Sequence, residues 1–120
     1  MCGIVSYAGT NYSLDEIKTH VDKIQYRGPD NSHYESVSRN IYFIFHRLAI
    51  VGLTDDGNQP MKHPEDDSIT LICNGEIYNY RSLRKDLELR GKKFVTNTDG
   101  EVIAHLYDVF GESALGYLDG

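Results

Sequence analysis

The first side chain after Met1 is a thiol, Cys2. Aminopeptidases remove an initiator methionine when the next residue is small, and Cys2 would then carry a free α-amine beside its own thiol. The amine titrates at about 7.7–8.0 and a free thiol at about 8.5, so the pair exchanges a proton readily at neutral pH. One residue thereby supplies both a nucleophile and the base that activates it, with no histidine required. Taken alone, Cys2 reads more simply as a small apolar residue near a terminus.

Further positions are informative beside it. Arg47 ends a very apolar run, where an unpaired guanidinium is costly and a bidentate carboxylate is the natural partner. That carboxylate can belong to the protein or to a small molecule, and the sequence leaves the choice open. Asn74-Gly75 reads first as a type I′ turn. It also offers a side-chain amide next to a glycine N–H, a donor pair able to hold an oxyanion. Asp99 is placed in the first turn of an expected helix, where the dipole favours a carboxylate, and it can equally bind an ammonium group. Arg47 for a carboxylate, Asp99 for an ammonium and Asn74/Gly75 for an amide oxygen together describe a free amino acid with an amide side chain. His46 reads as a satisfied core histidine, Cys73 as a buried strand residue, and Arg27-Gly28-Pro29-Asp30 as a turn whose flanking charges can either brace one another or anchor a loop.

The elements that must position these groups follow from patterning. Ile4 to Tyr7 reads as a short buried strand. Ser13 with Glu16 forms a capping box opening a helix that carries Ile17, Val21 and Ile24 on one stripe and stops near Gly28-Pro29. An alternating segment, His33 to Val37, and the apolar run Ile41 to Ile50 flank a turn at Ser38-Arg39-Asn40. Residues 52–68 read as loop, and Ile69 to Cys73 as another strand. A helix is expected over Tyr80 to Arg90 with Leu83 and Leu87 inward and Gly91 as its stop. A third is expected from a capping box at Thr98-Asp99-Gly100-Glu101, with Val102, Ile103, Leu106 and Phe110 inward and Gly111 at its end. Strands and helices with antiparallel hairpins predict an α+β fold rather than a doubly wound parallel sheet.

Composition narrows the function classes. At 120 residues, with 40% hydrophobic and 25% charged, the chain reads as one globular domain. The net charge of −6 and scattered basic residues argue against nucleic acid. The densest basic group, Arg81 to Lys93, reads as a solvated helical face. No apolar run nears the roughly 20 residues that span a bilayer. The first residues lack the features of a signal peptide, which predicts a cytoplasmic chain with reduced thiols. The five histidines show neither metal spacing nor a CxxC companion, so no metal is expected.

Met1-Cys2-Gly3-Ile4, then RGPD, HRLAIVG, GNQPM, CNGEIYNY and TDGEVI, resemble in order and combination the class II (N-terminal nucleophile) glutamine amidotransferase domain, and within it the glutamine-hydrolysing asparagine synthetase branch. The resemblance covers essentially the whole chain. It implies that Cys2 is the nucleophile, with Asn74 and Gly75 forming the oxyanion hole. It implies that Arg47 binds the α-carboxylate of L-glutamine and Asp99 its α-ammonium, with Arg47, Leu48, Ala49, Ile50 and Val51 and the trio Asn74, Gly75, Glu76 as pocket walls. It implies a four-layer αββα sandwich of which residues 1–120 are the N-terminal part, further strands being expected after Gly120. Two small departures, Tyr26 for histidine and Thr98 for serine, stand away from this chemistry.

In the family, ammonia passes to a synthetase domain that uses ATP and magnesium to activate aspartate. This chain carries no cofactor motif of its own, and no SGGxDS-type loop, so it is not expected to make asparagine alone. Its expected partners are L-glutamine and a synthetase domain or second chain, because missing strands leave edges and apolar faces open. Two other functions stay open: an amidotransferase with a different acceptor, and a catalytically silent fragment that binds glutamine or a partner.

Overall fold

The computed structural model describes residues 2–49 and 57–120. The most apolar segment becomes the centre of the main sheet. Strand β3 (Ile41–Arg47) lies between β1 (Gly3–Ala8) and β2 (Asn31–Ser38), both antiparallel to it. Its Ile44 and Phe45 are almost fully buried. The β2–β3 hairpin turns through Arg39-Asn40, where Asn40 takes a φ of 66°. Asparagine tolerates that left-handed conformation, so the expected turn forms.

Helix α1 (Leu14–Val21) covers one face of this sheet. Both halves of its capping box are present: Glu16 N–H donates to Ser13 Oγ, and Ser13 N–H donates to Glu16 Oε2 at 2.8 Å. Ile17 and Val21 pack on Ile44, with Val5, Tyr7, Tyr34 and Tyr42 around them. The α-helical winding stops earlier than the sequence suggests. From Asp22 to Arg27 the chain tightens into a 3-10 helix, and the Asp22 carboxylate accepts from the Tyr34 hydroxyl across on β2. Ile24 is therefore only half-buried and leaves the α1 stripe.

A second core joins α2 (Tyr80–Leu89) and α3 (Glu101–Phe110) through Ile77, Leu83, Leu87, Val102, Leu106 and Ala114. Gly91 and Gly111, at φ 89° and 58°, terminate the two helices as expected, and a 3-10 helix (Gly111–Tyr117) follows. The expected strand Ile69 to Cys73 shrinks to β5 (Thr70–Leu71), paired with β4 (Met61–Lys62) inside what reads as loop. Arg84 sits over the Phe94 ring and donates to the Thr96 carbonyl, so the basic face of α2 is in part structural. The observed architecture is a small mixed α/β domain, and among the described residues no helix is long and apolar enough to cross a membrane.

The capping box expected at Thr98 and Glu101 does not form. Gly100 caps α3 without a side-chain bond, because the Glu101 carboxylate is spent elsewhere. It is fully buried and accepts from the N–H groups of Val95 and Thr96 and from the Thr96 hydroxyl, at 2.6–2.8 Å. Burial works to raise this carboxyl, but the His105 ring beside it and the bonds from Thr96 and Val95 outweigh it and hold it down at about 2.

His63 and His105, both buried, meet on the same side, with His63 Nε2 2.9 Å from His105 Nδ1. The Glu65 N–H donates to His63 Nδ1, which makes that nitrogen an acceptor and leaves the ring proton on Nε2, facing His105. His105 in turn presents Nε2 to Glu101 Oε1 at 3.5 Å, too long for a short hydrogen bond. Burial, then the charge of His105, hold the His63 ring below its ordinary value, against the pull of Asp108.

Two outcomes follow from this packing. Leu87, 1% exposed, should cost about 2–5 kcal/mol of unfolding free energy as Leu87→Ala. Leu89→Ala, at a site 79% exposed, should stay within about 0.5 kcal/mol in the same denaturant titration. The neutral His63 gives the second. A ring with a lowered folded pKa resists protonation that the unfolded chain accepts, so stability should be lost as pH falls below about 6.5. The loss is at most about 1.4 kcal/mol per pH unit for one excluded proton. His63→Gln should flatten that slope between about pH 5 and 7, and an unchanged slope would refute the role given to the ring.

Candidate functional site

The C-terminal end of β3 builds one side of the site, and Gly28 lets it do so. A Cβ at Gly28 would stand 2.0 Å from the His46 carbonyl oxygen and 2.3 Å from its carbon, backbone atoms that cannot yield. The reason for glycine is this close approach, since its φ of −149° lies outside the left-handed region that favours glycine. The neighbouring charges then tie the strand end together. Arg27 Nε donates to the Cys2 carbonyl at 3.3 Å, Asp30 N–H to the Arg47 carbonyl at 3.0 Å, and Ala49 N–H to Asp30 Oδ2 at 2.8 Å. Of the two roles open to Arg27-Gly28-Pro29-Asp30, the anchor is present, acting on backbone groups.

Cys2 precedes β1, whose register places Gly3 opposite His46. Its sulfur lies against the Leu48 peptide, receiving the N–H at 3.4 Å and facing the carbonyl at 3.7 Å. His46 is fully buried and satisfied by the Ser32 hydroxyl and the Val21 carbonyl, as a core histidine should be. Arg47 is 7% exposed, and its Nη1 donates to Asn58 Oδ1 at 2.9 Å.

The opposite side is the irregular segment between β5 and α2. Neither Asn74 nor Gly75 has a positive φ, so the type I′ turn suggested by Asn-Gly is not made. Among the described residues, no atom beyond its two chain neighbours lies within 4 Å of where a Gly75 Cβ would stand, which leaves its backbone open to approach. The segment is anchored from outside: Cys73 N–H donates to Gln59 Oε1 at 2.6 Å, and Ile77 N–H to Asp99 Oδ2 at 2.7 Å. Asp99 itself precedes α3 rather than lying in its first turn, so its placement comes from Ile77 and not from the helix dipole.

These two sides enclose a cavity of about 340 Å³. Cys2, Arg47, Leu48, Asn74, Gly75, Glu76 and Asp99 all line it, so groups spread over nearly the whole sequence converge there. Among the expected wall residues, Ala49 is not in the lining and instead braces Asp30. Ile50 and Val51 lie outside the described residues.

Other lining residues have no role in the sequence reading, Gly57 and Gln59 among them although both lie in the GNQPM motif. Gly57 and Gln59 come from the stretch read as loop, where a glycine and an amide between turn residues give little chemical signal. Thr98, one of the two departures from the family pattern, also lines the cavity. Cys73 is half-buried, outside β5, and lines the cavity, which corrects its reading as a buried strand residue. Burial, and then the charges of Asp99 and Cys2, push its thiol up, so it stays protonated and is a poor competitor as nucleophile. Among the described residues no group of three or more His, Cys, Asp or Glu side chains is gathered as a metal site requires.

Comparison with known proteins supplies the family. Residues 1–120 match the glutamine amidotransferase domain family. The glutamine-hydrolysing asparagine synthetase of Brassica oleracea is 40% identical over 124 residues, covering 100% of this chain and 20% of the relative. That of Mesocricetus auratus is 40% identical over 123 residues, covering 100% and 21%. Asparagine synthetase 2 of Bacillus subtilis (strain 168) is 42% identical over 103 residues, covering 86% and 13%. The chain spans about a fifth of the length of the first two relatives. Matched from its first residue to its last, the chain belongs to the glutamine amidotransferase domain family.

Proposed function

We propose that this domain hydrolyses the side-chain amide of L-glutamine to glutamate and ammonia through a γ-glutamyl thioester on Cys2. The observation that carries the reading is the convergence of Cys2, Arg47, Asn74, Gly75 and Asp99 on one cavity. With Met1 removed, the Cys2 α-amine takes the thiol proton, and the sulfur attacks the amide carbon. The C–O π bond opens to an oxyanion held by the Asn74 side-chain amide and the Gly75 N–H. The ammonium of Cys2 returns its proton to the amide nitrogen as the C–N bond breaks, and ammonia leaves. Water then adds to the thioester, and glutamate departs as the thiol is restored.

Arg47 meets the α-carboxylate and Asp99, whose Oδ2 accepts from the Ile77 N–H at 2.7 Å, meets the α-ammonium. The fold that goes with this reading is the αββα sandwich of N-terminal-nucleophile hydrolases, in part. The names of the relatives, glutamine-hydrolysing asparagine synthetases, support asparagine formation as the fate of the ammonia. That step belongs to a synthetase domain or second chain. ATP and magnesium, which would supply aspartate activation there, find neither a metal cluster among the described residues nor a pyrophosphate loop in this sequence.

Glutamate release from glutamine, measured on protein whose intact mass shows Met1 removed, tests the reading. Cys2→Ala should abolish it, while Cys73→Ala should leave it within about threefold. Asn74→Ala should lower kcat by about 10²–10³-fold, the usual cost of one oxyanion donor. Asp99→Asn keeps an acceptor for Ile77 N–H but loses the charge, so KM should rise more than kcat falls. Activity that survives Cys2→Ala would end this reading.

A further inference from the structure

The Gly57-Asn58-Gln59 stretch touches both ends of the cavity. Asn58 Oδ1 accepts from Arg47 Nη1 at 2.9 Å, at the end assigned to the α-carboxylate. Gln59 Oε1 accepts from Cys73 N–H at 2.6 Å, immediately before the Asn74/Gly75 donors at the amide end. Gly57 lies flat against the guanidinium, where a Cβ would stand 2.5 Å from Arg47 Nη2. Two adjacent residues therefore join the group that grips the substrate backbone to the groups that grip its reacting carbonyl.

Among the described residues, the amide end has no regular element of its own to fix it. Residues 72–77 belong to no strand or helix, and the bonds at Cys73 and Ile77 bracket the donor pair from either side. A backbone with no ladder of its own sits where its anchors put it. Misplacement by about 1 Å at a reacting centre costs on the order of 10²-fold in rate.

We propose that Asn58 and Gln59 form a length gauge, setting the span between the Arg47 guanidinium and the Asn74/Gly75 donors so that glutamine is hydrolysed in preference to asparagine, which is one methylene shorter. This rests on the glutamine reading of the site. Asn58 and Gln59 are positioning residues, acting through Arg47 and Cys73. Arg47 binds ground state and transition state alike, whereas the donor pair acts as the oxyanion forms, so the two ends have different kinetic signatures.

The test compares the full-length protein with Asn58→Ala and Gln59→Leu, each with glutamine and with asparagine. Rates are counted per site labelled by a thiol-directed diazo-ketone analogue of glutamine, which removes any misfolded fraction. Asn58→Ala should raise KM for glutamine about tenfold with kcat within about threefold. Gln59→Leu should lower kcat about 10–100-fold with KM within about threefold. Both should reduce the preference for glutamine over asparagine about tenfold or more, the scale a single methylene commands. An active wild type whose preference survives in both variants would overturn the gauge alone. A wild type with no glutaminase activity would overturn the reading of the site, and the gauge with it.

Discussion

The contact between Gly28 and the His46 carbonyl is the constraint on which the rest of the site depends. Only a residue without a Cβ allows the chain leaving the first helical segment to lie directly on the end of β3. Once it does, Arg27 reaches the Cys2 carbonyl and Asp30 reaches the Arg47 carbonyl and the Ala49 N–H. Cys2, the cationic end of the strand and the segment beyond it are fixed by one turn. These bonds engage backbone groups that would otherwise be left unsatisfied at the ragged end of a sheet.

A similar economy holds on the other side of the cavity. Residues 73–77 have no regular structure, and Gln59 and Asp99 supply the hydrogen bonds that a strand partner would have given. Asp99 sits two residues from Glu101, whose buried carboxylate fastens Val95 and Thr96 at the start of α3. The second helical core thus holds Asp99 indirectly, by way of the helix that follows it. The tail is clipped to the same region: Tyr78 N–H donates to the Asp119 carbonyl and Asn79 Nδ2 to that of Tyr117.

Local rules read well wherever the neighbours in sequence are also the neighbours in space. The capping box at Ser13, the turn at Asn40 and the stops at Gly91 and Gly111 are decisions of a few adjacent residues, and all appear as expected. Cys2, Arg47, Asn74, Gly75 and Asp99 were legible as chemical types, and the structure brings them to one cavity. The misreadings share one cause. Asn74-Gly75 has the composition of a hairpin turn, and Thr98 to Glu101 that of a capping box, but long-range partners override both. Glu101 finds better donors at Val95 and Thr96, and the segment holding Asn74 is pinned by Gln59, distant in sequence. Gln59 belongs to the GNQPM motif, but nothing local shows that its amide will reach Cys73, nor that His63 and His105 will share a bond.

The central claim is that Cys2 becomes acylated by glutamine. It is tested most directly by mixing the processed protein with glutamine, quenching in acid within one turnover and locating the adduct by peptide mass spectrometry. The account predicts one γ-glutamyl group on the N-terminal Cys2, lost on treatment with hydroxylamine and absent from Cys2→Ala. An adduct on Cys73, or glutamate formed at the normal rate with no adduct at any time, would contradict it.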